Sequence, residues 1–359
     1  SVEVVDVANG GSEPETITSI KYNAPLDYAS QGRCVTTEDY KVYAKKLYAN
    51  AQSVQVFGGE NGSYDSSLGV VSNAEYGKVF ISIVATTGLN LTASEKKQLV
   101  ADFAKYTVAS ITPVIVDPET TFLILNVTFK YNSNRTSLDL SGVESEVVSA
   151  ITSYDTNNLG EFEKLFRHSQ VTRLIDDAQD SILSNTTNVT LGKFFTPTTT
   201  AATSYYIYFN NALYNPHSGH NASAGGILSS TGFFISGDTT NEHFFNDNGE
   251  GIVRLYYIQS GEKVYVDSTA GTINYATGEV FIESIFITTI SDVDGVASTQ
   301  VRLTVIPNSK DIVPVRNQIL ELDLTNSTVT GQVDTVAVGD GSAGGTYTTN
   351  TSYSTPSGY

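Results

Sequence analysis

The chain turns at Gln31-Gly32-Arg33-Cys34-Val35 and then enters a helix at Thr36-Thr37-Glu38-Asp39-Tyr40. Thr36 has the residue type and position of an N-cap, whose hydroxyl accepts a backbone N–H of the first helical turn. Asp39 follows three residues later, where its carboxylate can accept the N–H of the cap and also oppose the helix dipole. The pattern therefore predicts a capping box and a helix that begins directly after it.

The predicted helix covers residues 36–50 and has one apolar face. Its apolar side chains recur at spacings of three and four, at Tyr40, Tyr43, Ala44, Leu47 and Tyr48. We expect Arg33 to tether the preceding turn to a carboxylate or a carbonyl group. Arg33, Thr36, Asp39 and Tyr40 are therefore candidate structural residues, and no catalytic role is predicted for them.

Cys34 is the single cysteine of the chain, which excludes an intramolecular disulfide and fits a reducing compartment. Its position beside Val35 predicts a small buried side chain. The alternative is that Arg33 lowers the pKa of the thiol, but no lysine or histidine lies close in sequence to act as a base. A buried, unreactive cysteine is therefore expected.

The bulk composition limits the classes of function. With 359 residues the chain is expected to form two or three domains, and its hydrophobic fraction of 40% suffices for real cores. No apolar run approaches the ~20 residues of a membrane span, and no signal sequence is recognisable. The net charge of −18 argues against a nucleic-acid backbone as partner. We therefore expect neither nucleic acid nor membrane among the partners.

From about residue 20 to residue 191 the pattern mixes helices and strands. Thr92 with Glu95 and Ser141 with Glu144 form predicted capping boxes of two further helices. A last helical stretch is predicted over 161–183. Strands are predicted where β-branched or alternating apolar residues recur, over 53–57, 78–86, 114–116 and 121–131. This order favours compact sandwiches with helices on one face of a sheet.

Beyond residue 192 the helical pattern disappears. A Thr/Pro run at 196–200 predicts a linker or exposed loop, and short segments between 205 and 306 predict antiparallel strands. Residues 259–262 are a predicted hairpin turn, and Asn246-Asp247-Asn248-Gly249 is interpreted as a break between strands. Residues 339–359 contain no Lys or Arg and are too polar to fold alone, so we expect disorder or contact with a partner.

The predicted fold class is α+β and multidomain, with small α/β sandwich modules followed by a mainly antiparallel β domain or insertion. Ser1 in place of a start Met, in a chain without methionine, is expected of an excised or processed piece. The predicted segments are a connector at 1–20 from a missing amino-terminal part, α+β modules at 21–117 and 118–192, a β-rich domain or insertion at 193–306, a return to the core at 307–338 and a Gly/Ser/Thr-rich tail at 339–359.

No metal, cofactor or catalytic site is predicted. His217 and His220 are the nearest approach to a metal pair, with His243 downstream, but their Pro/Gly-containing segment favours a plain surface loop. No Gly-x-Ser-x-Gly run marks a nucleophilic serine. The glycine-rich residues 58–62 lack the Lys-Ser/Thr pair of a phosphate-binding loop.

Two acidic segments leave a cation site as the alternative to a turn. Asp292-Val293-Asp294-Gly295 resembles the start of a calcium loop, yet Val296 and Leu303 stand where that loop needs oxygen ligands. The segment 246–250 also offers oxygen ligands, although hairpin ends commonly have this composition. A turn is the prediction for both segments.

Three stretches of the sequence resemble one family. They are Gly32-Arg33-Cys34-Val35-Thr36 with Asp39-Tyr40 and the preceding residues 24–28, then residues 159–175, and lastly 271–278 with 311–323. The sequence resembles baseplate J-like proteins, and more closely the carboxy-terminal half of the baseplate wedge proteins of T4-like contractile-tailed phages. Cys34 stands where that family more often has alanine, which exchanges one small side chain for another.

The resemblance implies a non-enzymatic, structural component of a baseplate wedge, located in the virion and assembled in the bacterial cytoplasm. It further implies a second copy of the chain and other wedge proteins as partners, in a ring around the central hub that rearranges with the baseplate. The residues of the dimer surface are not predicted. Two alternatives stay open, a receptor-binding, adhesin-like tail protein because 205–306 is β-rich and Tyr-rich, and a carbohydrate hydrolase that uses two carboxylates.

Overall fold

The computed structural model describes residues 17–61, 64–65, 70–71, 74–222, 225–293 and 296–338. Most of the predicted connector, the predicted tail at 339–359, Gly62 of the glycine-rich loop, and Asp294 and Gly295 of the calcium-like segment lie outside these residues. None of the described helices is both long and apolar enough to cross a membrane.

Five α-helices and eighteen strands occur among the described residues. The helices are α1 Ile17–Ser30, α2 Thr37–Leu47, α3 Ala93–Phe103, α4 Leu140–Asn158 and α5 His168–Asp176. The first ten strands are β1 Ala51–Gly58, β2 Tyr64–Asp65, β3 Val70–Val71, β4 Lys78–Ala85, β5 Thr112–Val116, β6 Glu119–Tyr131, β7 Ile182–Phe195, β8 Thr203–Tyr208, β9 Ser229–Ser230 and β10 Phe233–Ile235. The others are β11 Asp238–Asp247, β12 Ile252–Gln259, β13 Glu262–Asn274, β14 Glu279–Ile285, β15 Ile287–Ile290, β16 Val301–Val305, β17 Gln318–Leu322 and β18 Thr328–Val333. This α+β content confirms the predicted fold class.

The chain divides into two compact units. Unit 1 comprises Ser1–Leu123, Asn158–Phe166 and Thr190–Leu322, and unit 2 comprises Ile124–Asn157, Arg167–Val189 and Asp323–Tyr359. Both units are therefore built from segments that are far apart in sequence. The domain boundaries expected from the sequence follow composition changes along the chain and stay a prediction.

The first part of unit 1 is a three-stranded sheet with helices on one face. β4 is central, antiparallel to β1 and parallel to β5. Alternate residues of β4, such as Ile81 and Ile83, share a core with Tyr40 of α2 and Phe103 of α3. On the opposite face, Val84 packs with Phe162 and with Ile319 of β17. The buried β-branched residues predicted over 78–86 thus place β4 at the centre.

The second part of unit 1 is antiparallel. Its strands follow the order β7-β16-β9-β11-β12-β13-β14-β8, and β10 joins β11 to β15. The hairpin turn predicted at 259–262 is confirmed, since Ser260 and Gly261 have φ of 55° and 86° between β12 and β13. Two successive positive φ values are the signature of a type I′ turn, whose twist matches that of the strands.

Unit 2 contains the second half of β6 with β18 parallel to it on one side and β7 on the other. Alternate residues of β6 are buried, including Val127 and Phe129, which confirms the alternation predicted from the sequence. Helix α4 is tied to β18, because Glu144 accepts the N–H of Gly331 at 2.9 Å. Helix α5 is tied to β7 through the side-chain amide of Asn185, which donates to the carbonyl of Thr172 at 2.8 Å.

The helix predicted over 161–183 is wrong in its bounds. Only His168–Asp176 is helical, and Ile182 opens the long strand β7. The predicted helix extends over Ile182 because this residue continues the helical spacing of Val171 and Ile175. This segment is a strand because it pairs with neighbouring strands. The spacing of apolar residues within the segment contains no information about that pairing.

The capping box predicted at Ser141 is also wrong. Helix α4 begins at Leu140, and Asp139 caps it by accepting the N–H of Gly142 at 2.8 Å. Ser141 lies inside the helix and its hydroxyl donates to the Asp139 carboxylate at 3.2 Å. Asp and Ser are similarly good caps, so sequence alone placed the start two residues late.

Two further differences concern α1 and β11. The predicted connector at 1–20 overlaps α1, which contains Pro25 and was not predicted as a helix. The predicted break at Asn246-Asp247-Asn248-Gly249 begins too early, because Asn246 and Asp247 are buried residues of β11. The chain reverses over the following residues, before β12.

Candidate functional site

The predicted capping motif forms at the start of α2. Thr36 Oγ1 accepts the N–H of Asp39 at 3.3 Å, and Asp39 Oδ2 accepts the N–H groups of Thr36 at 2.8 Å and Val35 at 3.0 Å. Burial disfavours the charged carboxylate, but these hydrogen bonds outweigh burial and hold the pKa of Asp39 below its usual value. The arrangement fixes the angle at which the turn enters the helix.

Tyr40 and Cys34 lie in the core beneath this motif. The Tyr40 ring centroid is 5.8 Å from that of Phe103. Cys34 is fully buried, and its N–H donates to the carbonyl of Tyr106 at 2.8 Å. Burial and the negative charge of Asp39 raise the pKa of the Cys34 thiol to about 12. The thiol is therefore protonated and inert at neutral pH, and the alternative that Arg33 lowers its pKa is wrong.

Arg33 does not make the predicted tether within the described part of the chain. Its residue is exposed and its guanidinium has no hydrogen bond or ion pair with a described residue. Only its backbone is engaged, through an N–H that donates to the carbonyl of Ser30 at 3.2 Å. The structure thus brings Thr36, Asp39 and Tyr40 together and leaves the Arg33 side chain facing solvent.

The histidines do not converge on one site. His217 and His220 are exposed neighbours with ring nitrogens 3.1 Å apart, whereas His243 is fully buried in β11. No group of three or more His, Cys, Asp or Glu residues among the described residues has the geometry to hold a metal. The histidine pair lacks a third ligand of this kind.

Asp247 is a structural hub that the sequence did not reveal. Its buried carboxylate accepts the N–H groups of Ile227 at 2.6 Å, Leu228 at 2.8 Å and Gly249 at 3.1 Å, and the hydroxyl of Tyr275. Burial and the neighbouring carboxylate raise the pKa of the Tyr275 hydroxyl. Because protein donors use the carboxylate, the segment 246–250 serves to hold the sheet together, and only the Asn-Asp composition hinted at it.

Unit 1 also contains a buried ion pair. The Lys193 ammonium lies 3.1 Å from the Glu119 carboxylate, and both side chains are almost fully buried. Lys193 is on β7 and Glu119 opens β6, so the pair links two strands. Two buried opposite charges that pair with each other form a structural contact.

The outer half of the β12–β13 hairpin in unit 1 is exposed. Residues 262–269 of β13 are here called the open edge. They pair with β12 on one side from residue 262 to residue 267, and with no described strand on the other side. Ile258, Tyr265 and Val266 are 55%, 39% and 50% exposed. An open edge with exposed apolar side chains is a surface on which another strand can pair.

Comparison with known proteins finds two family models that match consecutive parts of the chain. Residues 36–116 match the family model described as "Baseplate structural protein gp6, C-terminal domain I", and residues 119–193 match "Baseplate structural protein gp6, C-terminal domain III". The two matches are consecutive and begin at the capping residue Thr36. Residues 36–193 are therefore similar to the C-terminal region of gp6 baseplate structural proteins.

A curated relative agrees with this similarity to gp6. The chain is 26% identical over 183 residues to the "Baseplate wedge protein gp6" of Enterobacteria phage T4. The match covers 51% of this chain and 26% of that protein, so the chain spans about a quarter of the relative it matches.

A solved structure was also matched. It is a chain of the anti-feeding prophage baseplate, determined by cryo-electron microscopy, at 14% identity and a TM-score of 0.32, with 51% of this chain and 39% of that chain covered. A TM-score this low does not establish a shared fold. The similarity to gp6 rests on the sequence matches.

The gp6-type domains have a simple relation to the elements described above. The domain I match covers α2, α3 and the three-stranded sheet, including the whole capping motif. The domain III match runs from Glu119 at the start of β6 to Lys193 in β7. The two residues of the buried ion pair are thus the first and last residues of that match, while the open edge lies beyond both matches.

Proposed function

We propose that this chain is a structural component of the wedge of a contractile-tail baseplate, and that it self-associates to link wedges into a ring around the central hub. The observation that carries the proposal is the pair of consecutive gp6 C-terminal domains over residues 36–193. The family description and the name of the T4 relative both refer to the baseplate, so the place of this chain is the tail baseplate of a phage virion.

The side chains with reactive potential support a non-enzymatic role. The thiol of Cys34 is buried with a raised pKa, and the Asp247 carboxylate is occupied by protein donors. One described cavity beside α2 is about 170 Å³ and is lined by Lys41, Glu38 and Glu163, and a wide-open one of about 520 Å³ is lined by Glu250 and Glu279. Enzyme sites for sugars are deep concave pockets in which a few polar groups converge.

Self-association and rearrangement are the finer parts of the proposal. A ring requires that each wedge contact its neighbours, and a homodimer of one wedge protein is the simplest such contact. The net charge of −18 disfavours non-specific aggregation, so contacts between copies are expected at a few complementary surfaces. The same proposal includes contacts between this chain and other wedge proteins.

The test is the mass of the purified chain in solution, measured by multi-angle light scattering over a dilution series from about 100 μM to 0.1 μM. The proposal predicts a dimer or larger species at micromolar concentration that dissociates on dilution. A monomer at every concentration contradicts self-association of this chain. The similarity to gp6 does not depend on the outcome.

A further inference from the structure

We propose that two copies of the chain associate by antiparallel pairing of their open edges, residues 262–269 of β13, around a two-fold axis at Tyr265. This inference rests on the self-association in the proposed function and adds the surface that mediates it. The occupant of the edge is the same edge of a second copy. Such an isologous contact places identical surfaces against each other.

The backbone of the open edge is available for pairing. β13 pairs with β12 from residue 262 to residue 267, and with β14 only from Gly271 onward. In an antiparallel pair successive residues direct their N–H and C=O groups alternately to the two sides. About half of the backbone groups at 262–269 therefore point away from β12, and no described strand pairs with them. The N–H of Thr269 is the exception, because it donates to the Asp267 carboxylate at 2.8 Å.

The sequence of the edge is self-complementary. Antiparallel pairing centred on Tyr265 places Val264 opposite Val266 of the second copy and Lys263 opposite Asp267 of the second copy. Each of these pairs occurs twice because of the two-fold axis. Directly opposite side chains in an antiparallel pair lie about 5 Å apart, where apolar contact and opposite charges both stabilise the pairing.

The strand is held in a defined position before any partner binds. The Arg254 guanidinium lies over the Tyr265 ring at 4.4 Å, and the Lys263 ammonium lies over the Tyr256 ring at 4.6 Å. The side-chain amide of Asn246 donates to the Tyr265 hydroxyl at 3.3 Å. These contacts order the edge in the free chain, which lowers the entropy that association must remove.

Natural sheets also use lysines and bulges to keep their edges from pairing. Lys263 and the register shifts of β12 against β13 near Tyr256 have this effect towards most partners. They do not oppose the same edge of a second copy, since there Lys263 meets a carboxylate. The charge pattern therefore discriminates between the second copy and an unrelated strand.

Charge reversal tests the pairing. K263E and D267K each create two like-charge pairs across the proposed interface, whereas the double variant K263E/D267K restores two opposite-charge pairs. Residues four apart in one strand are about 13 Å apart, so contacts within one copy do not explain a rescue. K97E, on the exposed face of α3, makes the same charge change as K263E at a position away from the open edge.

The dissociation constant of each full-length variant is measured by sedimentation velocity at low and physiological salt. We expect about tenfold weaker association for each single reversal, near-native association for the double variant and no change for K97E. Unchanged association in both single variants, or no rescue in the double variant, overturns the pairing and leaves self-association standing. A native chain that is monomeric at all concentrations overturns self-association itself.

Thermal unfolding of the same variants provides the control for folding. Lys263 and Asp267 are exposed, so their reversal is expected to leave the unfolding midpoint of the monomer within about 1 °C to 2 °C of native. V266T is a second test of the interface. Threonine is β-branched like valine and keeps the strand conformation, but it replaces an apolar side chain of the proposed contact by a polar one. Weaker association of V266T with an unchanged midpoint supports the edge, and equal association counts against it.

Discussion

The two halves of the β12–β13 hairpin differ in what surrounds them. In the inner half, Val253, Leu255 and Ile273 are almost completely buried, and the adjacent Asp247 carboxylate has four protein donors. In the outer half, the side chain of Ile258 is 55% exposed and that of Val266 is 50% exposed. One continuous pair of strands thus serves the core at one end and presents a surface at the other.

This difference separates residues that hold the fold from residues that are free to hold a partner. Burial of an apolar side chain stabilises the folded chain in proportion to the area removed from water. An exposed apolar side chain adds little to folding and retains its area for a partner. The substitutions that follow pair one residue of each kind, in order of decreasing expected effect.

Asp247→Ala is expected to cost at least about 4 kcal/mol of unfolding free energy, because several buried donors lose their acceptor. The matched control is Asp267→Ala, an exposed aspartate on the next strand but one, for which we expect a change within about 0.5 kcal/mol. Urea unfolding followed by tyrosine fluorescence measures both, since the chain has 21 Tyr and no Trp. Similar losses of unfolding free energy for the two substitutions contradict the proposed difference between the inner and outer halves of the hairpin.

Leu255→Ala is expected to cost about 3 kcal/mol, the sum of lost burial and a cavity in the sheet interior. Its counterpart Ile258→Ala removes an apolar side chain of similar size from the same strand at 55% exposure. For Ile258→Ala we expect a loss below about 1 kcal/mol. The same urea transition compares the two, and a large loss at Ile258 means that the outer half belongs to the core.

Thr36→Ala sharpens the comparison because Thr36 is exposed and yet structural. Removing its hydroxyl leaves the N–H of Asp39 without its cap, so we expect a loss of about 1 kcal/mol. Thr37→Ala, one residue further on, is the control and has no capping hydrogen bond among the described residues. An unchanged unfolding midpoint for Thr36→Ala contradicts a stabilising role of the capping box.

The buried His243 is expected to make the stability of the folded chain depend on pH. Burial lowers the pKa of His243 although the Asp238 carboxylate, 3.7 Å away, opposes this shift, and the Tyr257 ring lies 5.8 Å away. The unfolded chain therefore takes up the proton first, and stability falls as pH drops below about 6.5. His243→Leu is expected to flatten the dependence of the unfolding midpoint between pH 7 and pH 5. An equal slope in both chains shows that other groups cause it.

Local signals made part of this structure predictable. The capping box at Thr36 and Asp39, the one at Thr92 and Glu95, and the type I′ turn at Ser260-Gly261 each depend on residues within four positions of one another. Their conformations follow from side chains that reach their own backbone, so a sequence pattern contains the necessary information.

The parts of the structure that were not predicted depend on interactions between segments that are far apart in sequence. Ile182 continues a helical spacing but belongs to a strand, because its neighbours in the sheet come from other parts of the chain. Asp247 resembles a turn residue by composition, and its donors at Ile227, Leu228 and Tyr275 are about 20 or more residues away in sequence. The open edge was likewise not predictable, since exposure of a strand edge depends on which strands do not pair with it.

The most direct test of the account is backbone hydrogen exchange across the hairpin at two protein concentrations, one below and one above the dissociation constant. We predict that amides of 262–269 exchange rapidly in the dilute sample and become protected in the concentrated one. Amides of 252–256 are expected to be protected equally in both. If light scattering shows a dimer in the concentrated sample while 262–269 exchange at the same rate in both, the outer half of the hairpin is not the contact between copies.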